Sequence, residues 1–101
     1  MIIHEIEEEK IEELVKGDVV LLDFFANWCG PCKMLAPELE ELAKEENITI
    51  YKIDVDKYPD LARKYGVMSI PSMFLYKNDN LIGNKTGFLP KDSIKEWIKE
   101  S

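Results

Sequence analysis

Apolar positions along this chain follow two rhythms. Val19-Val20-Leu21-Leu22-Asp23-Phe24-Phe25 is a nearly unbroken apolar run, the pattern of a strand buried on both faces. Ile48-Thr49-Ile50-Tyr51-Lys52-Ile53-Asp54 is a second strand by its β-branched and aromatic content. Between them the spacing becomes helical from Pro31 to Glu45, with Leu35, Leu39 and Leu42 on one side. Pro37 lies inside that helix and predicts a kink, because proline has no N–H to donate to the preceding turn. Upstream, Ile2-Ile3 reads as a short strand. An acidic helix follows, with Ile11, Leu14 and Val15 as its buried stripe, and Gly17 closes it. Pro59 opens a short helix through Leu61, Ala62 and Tyr65, which Gly66 terminates. Ser72 to Tyr76 and Leu81 to Thr86 flank the turn residues Asn78-Asp79-Asn80 as a hairpin. Lys91 to Glu100 forms a last helix burying Ile94, Trp97 and Ile98. Two βαβ passages and a hairpin imply an α/β fold with a mixed sheet and helices on both faces. Spacing alone leaves the strand order open.

Length and charge narrow the class. A chain of 101 residues suffices for one domain over 1–101 with a single sizeable core. Its 46% hydrophobic content argues against disorder. A net charge of −7 disfavours nucleic acid and anionic membrane surfaces as partners. Met1-Ile2-Ile3-His4-Glu5 has neither a basic start nor a long apolar stretch, and no segment reaches membrane-spanning length. A cytoplasmic location is therefore expected, in a compartment where structural disulfides are rare.

Against that background the only two cysteines carry the chemistry. They occur as Trp28-Cys29-Gly30-Pro31-Cys32, directly after a strand and at the start of a helix. The first backbone N–H groups of a helix lack intrahelical partners, and the helix dipole there favours negative charge. A thiolate at Cys29 is stabilised in that position, with Cys32 one turn on and within disulfide reach. As a staple the pair closes too short a loop to stabilise much. As a zinc site it lacks ligands, since His4 is the only histidine and lies far off in sequence. A reversible dithiol remains, with Cys29 as nucleophile and Cys32, expected to be the more covered, as resolving thiol. Asp23 interrupts seven otherwise apolar positions. A buried carboxylate there has a raised pKa unless it is paired, or else it sits at a strand end bonded to backbone amides. Lys52 is flanked by Tyr51 and Ile53, and could equally face solvent.

The stretch Asp23-Phe24-Phe25-Ala26-Asn27-Trp28-Cys29-Gly30-Pro31-Cys32-Lys33 closely resembles the active-site segment of the thioredoxin family. Lys52-Ile53-Asp54-Val55-Asp56, Tyr65-Gly66-Val67, Ile70-Pro71-Ser72 and Thr86-Gly87 extend the resemblance over essentially the whole chain. It implies a thioredoxin fold, a central mixed sheet of five strands flanked by four helices, with the strand ending at Phe25 central. It implies a Cys29–Cys32 redox disulfide, Asp23 in proton transfer with the resolving cysteine, and Lys52 as the partner of Asp23. Base rates favour a trans Ile70–Pro71 bond, whereas the resemblance implies a cis one opposite the dithiol. By the same resemblance Trp28, Gly30, Pro31, Ile70, Pro71, Gly87 and Phe88 form an apolar collar that docks substrate. Phe25, Ser69 and Phe88 depart from frequent family residues, the last two near that docking surface.

The implied function is a general protein-disulfide reductase with no bound cofactor, acting as a monomer. Its partners are disulfide-containing proteins and a reductase of the NADPH-dependent flavoprotein kind. A disulfide oxidase or isomerase is the first alternative, opposed by Gly30-Pro31 between the cysteines, where such relatives usually carry histidine before the second one. A thioredoxin-like binding subunit of a larger assembly is the second.

Overall fold

A computed structural model describes residues 1–101. Strands β1 (Ile2–Ile3), β2 (Val19–Phe25), β3 (Thr49–Asp54), β4 (Ser72–Lys77) and β5 (Asn80–Thr86) form one sheet in the order β1-β3-β2-β4-β5. β1 and β2 both run parallel to β3, while β4 is antiparallel to β2 and to β5. β2 is therefore the middle strand, as its apolar run requires. Helices α1 (Ile11–Leu14), α2 (Gly30–Glu45), α3 (Pro59–Lys64) and α4 (Lys91–Glu100) complete the fold.

Alternation along β2 sorts the core into two layers. Val20, Leu22 and Phe24 face α1 and α3, packing with Ile11, Val15, Leu61 and Ala62. Leu21 faces α2 and α4, packing with Leu35, Leu39, Leu42 and Ile94. Each fully buried leucine stabilises the fold by about 1.5–3 kcal/mol relative to exposure. Asp23 belongs by alternation to the α2 layer, opposite Lys52 of β3 and Met73 of β4.

Three expectations change. The acidic N-terminal helix is only a 3₁₀ turn over Glu8–Lys10 followed by one turn of α1. Six glutamates between Glu5 and Glu13 repel one another, and only Ile11 and Val15 among its apolar residues reach full burial. Trp97 is half-buried rather than core, its indole capped by the Lys85 ammonium 5.7 Å from the ring centroid. The hairpin turn is tighter than its three polar residues suggest. Asn78 and Asp79, with φ of 51° and 71°, make the two-residue connection whose twist matches the strands, and Asn80 joins β5.

Candidate active site

The site lies where β2 stops and α2 starts. Cys29 is the N-cap of α2 with an extended backbone (φ −89°, ψ 114°), and its sulfur accepts the backbone N–H of Cys32 at 3.2 Å. One orphan donor of the helix start is thus aimed at that sulfur, which favours a thiolate there. Pro31 occupies the first turn, where its missing N–H costs nothing. Cys29 and Cys32 are joined as a disulfide with Cα atoms 5.2 Å apart. Both are buried, 5% and 4% exposed, so Cys32 is barely the more covered of the two in this form. Ala26, Phe25, Val55 and Ile70 pack around the pair.

Across from the dithiol the Ile70–Pro71 bond is cis. The Ile70 carbonyl oxygen lies 3.8 Å from Cys29 Sγ, and the Pro71 carbonyl accepts the Gly87 N–H at 2.8 Å. Gly87 has φ of +91°, a conformation that side chains with a Cβ resist. A groove of about 200 Å³ runs beside the cysteines, lined by Trp28, Val55, Ala62, Val67, Met68, Ser69 and Ile70. Trp28 is 70% exposed and Met68 97% exposed, both available to a partner. Gly30 and Pro31, between the two cysteines, and Phe88, next to Gly87, are exposed as well.

Asp23 and Lys52 are brought together beneath this surface. Both are buried, with Lys52 Nζ 3.6 Å from Asp23 Oδ2, and Asp23 Oδ1 has no hydrogen-bond partner. No backbone amide serves Asp23, and Lys52 does not face solvent. Burial pushes the Asp23 carboxyl up from 3.8 to about 6, against the opposing pull of the Lys52 charge. A cavity of about 130 Å³ links Lys52 to Cys32, with Phe25, Ala26, Asn27, Lys33 and Ala36 as its other walls.

Three contacts were not assigned from the sequence. Asp56 Oδ2 accepts the Trp28 indole N–H at 2.9 Å, Asp54 Oδ1 accepts the Asp56 amide at 2.9 Å, and Lys52 Nζ stands 4.5 Å from the Phe25 ring centroid. The acidic Asp54-Val55-Asp56 end of β3 is the one visible signal for the first two. Nothing in local sequence signals the third.

The thioredoxin family model matches residues 2–100. The chain belongs to the thioredoxin family. It is 49% identical to the thioredoxin of Bacillus subtilis over 84 residues, 81% of either chain. It is 44% identical to that of Staphylococcus aureus over 100 residues, covering 97% of this chain and 96% of the relative. Among solved structures, a mutant thioredoxin from Halobacterium salinarum superposes with a TM-score of 0.89 at 34% identity, over 98% of this chain and 88% of that one. With a redox-active cysteine pair at the head of α2, this thioredoxin-family chain is a thiol–disulfide oxidoreductase of the disulfide-reductase type. Membership in the thioredoxin family also implies disulfide-containing protein substrates and a reductase partner.

Proposed function

We propose that the chain reduces protein disulfides with Cys29 as nucleophile and Cys32 as resolving thiol. The observation that carries this order is the Cys32 amide donated to Cys29 Sγ at the N-cap of α2. Cys29 thiolate attacks one sulfur of the substrate disulfide, whose S–S bond breaks to release a substrate thiolate. Cys32 then gives up its proton and attacks the Cys29 sulfur of the mixed disulfide. The second substrate thiolate leaves, and the Cys29–Cys32 bond holds the two electrons' worth of oxidation. Asp23, with a carboxyl near 6, takes the Cys32 proton; Lys52 beside it lines the cavity that also reaches Cys32.

Trp28, Gly30, Pro31, Ile70, Pro71, Gly87 and Phe88 receive an extended segment of the substrate, whose backbone pairs with that of Ile70. The two sulfurs supply all the redox chemistry, so the reaction uses no bound cofactor. A single chain contains every part, and we read the working form as a monomer. A flavoprotein drawing on NADPH returns the dithiol. No helix is long and apolar enough to cross a membrane, and the dithiol form suits the reducing cytoplasm.

Turnover of a protein disulfide by wild type and two variants tests this assignment. Cys32→Ser is expected to accumulate mixed disulfides with substrate and Cys29→Ser to form none. Trapping by Cys29→Ser instead would reverse the roles. The dithiol is expected to equilibrate on the reducing side of glutathione. An oxidising poise would favour the oxidase reading, which Gly30-Pro31 opposes.

A further inference from the structure

Lys52 is buried with three donors and no hydrogen bond to any protein atom. Its side chain is 9% exposed, and its ammonium is 3.6 Å from Asp23 Oδ2, longer than a hydrogen bond. The Phe25 ring centroid lies 4.5 Å from the same ammonium. The arrangement follows from the sheet. Phe25 is two residues beyond Asp23 on the same face of β2, and Lys52 pairs with Asp23 from β3. A desolvated ammonium over an aromatic face is held by the ring quadrupole more strongly than one in water.

We propose that Phe25 is a positioning residue, whose ring keeps the Lys52 ammonium between the Asp23 carboxylate and the cavity of Cys32. The inference rests on the reading of Asp23 and Lys52 as the proton-accepting pair for Cys32. The titratable or charged groups at this place are Asp23 on β2, Lys52 on β3, and Cys32 and Lys33 on α2; β4 contributes only Met73 opposite Asp23. Without the ring, Lys52 turns into the cavity toward water. Asp23 then loses its counter-charge, and the nascent Cys32 thiolate loses a nearby cation.

Phe25 also packs against the cysteine cluster, so the test must separate ring electrostatics from packing. The variants are Phe25→Leu, Phe25→Trp, Lys52→Met and the Phe25→Leu/Lys52→Met double. Two readouts apply: the single-turnover rate of mixed-disulfide resolution, and the carboxyl titration midpoint of Asp23 by carbon-13 NMR in the oxidised protein. Phe25→Leu is expected to slow resolution roughly fivefold and raise the midpoint by about 0.5 pH unit. Phe25→Trp, which keeps an aromatic face, is expected to stay within about twofold of wild type. In the Lys52→Met background Phe25→Leu should change neither readout further, because its effect runs through the ammonium. Equal losses with and without Lys52 would make Phe25 a packing residue and overturn the proposal, as would a Phe25→Leu protein matching wild type in both readouts. If Lys52→Met resolves at the wild-type rate while Phe25 moves the midpoint only when Lys52 is present, the proton-accepting role falls and the positioning stands.

Discussion

Asp23 concentrates the opposing terms of this molecule in one side chain. The residue is 1% exposed with Oδ1 unpaired, and desolvation outweighs the Lys52 charge. A folded-state pKa raised from 3.8 to about 6 means that the folded protein binds the proton more tightly than the unfolded chain does. Stability then falls as pH rises from about 4 to about 6, and the full penalty persists above that range. Burial penalises the charged form even with Lys52 in place, so Asp23→Asn is expected to raise stability at pH 7 by roughly 1–3 kcal/mol. The gain should vanish below about pH 4, where wild-type Asp23 is protonated in both states. Urea midpoints at pH 4 and pH 7 check both halves. Resolution of the mixed disulfide should slow in the same variant, while the first attack by Cys29 changes less. Asp56 acts at the same scale. Asp56→Ala is expected to free the exposed Trp28 indole, moving its Nε1–H resonance, with a stability loss of about 1 kcal/mol at most. Asp56→Asn, which keeps an acceptor oxygen, should retain the wild-type resonance.

Between elements, one connection joins segments beside the site and another ties α2 to α4 at the far end of α2. The end of β5 meets the loop before β4 through the Gly87 N–H and the Pro71 carbonyl. A Cβ on Gly87 would meet no atom within 4 Å, so the cost of Gly87→Ala is backbone conformation alone. At φ of +91° that cost is about 1–2 kcal/mol, read as a lower denaturant midpoint. The second connection is Glu45 at the end of α2, which accepts Lys91 Nζ at 2.5 Å and Lys95 Nζ at 2.8 Å from α4. These bonds hold its carboxyl down at about 2. A depressed carboxylate contributes stability that is present above its unfolded value of 4.5 and is lost as pH falls toward 2. The three side chains are about a third exposed, so salt screens them. Glu45→Gln should therefore lower the urea midpoint at low ionic strength, with the difference shrinking at 1 M salt.

For the molecule as a whole, Asp23 and Glu45 act on opposite flanks of the pH axis. Asp23 withdraws stability on going from about pH 4 to 6, and Glu45 withdraws it on going below about 4.5. A net charge of −7 at neutrality adds self-repulsion that fades as carboxylates protonate. The oxidised protein is thus expected to be most stable in mildly acidic solution, between about pH 4 and 5, and measurably less stable at pH 7. Denaturant midpoints across pH 2–8 would show the maximum. For Asp23→Asn the decline on the alkaline side should be shallower.

Pattern alone determined most of the elements, because burial imposes a period on each. The apolar run at β2 and the leucines of α2 stand where that period places them. It also determined the redox chemistry, since two cysteines three apart at a strand-to-helix junction leave little else for them to do. The acidic start misled, because an apolar stripe at helical spacing does not offset clustered glutamates. Only the tertiary structure decided what lies across strands. Asp23 and Lys52 are 29 residues apart in sequence and meet because β2 and β3 pair in one register. The Ile70 carbonyl beside Cys29, the indole of Trp28 on Asp56, and the ring of Phe25 on Lys52 are likewise contacts between elements. Local sequence sets the conformation of each segment, but the distance between two side chains on different strands depends on strand order and register. Those are properties of the folded sheet.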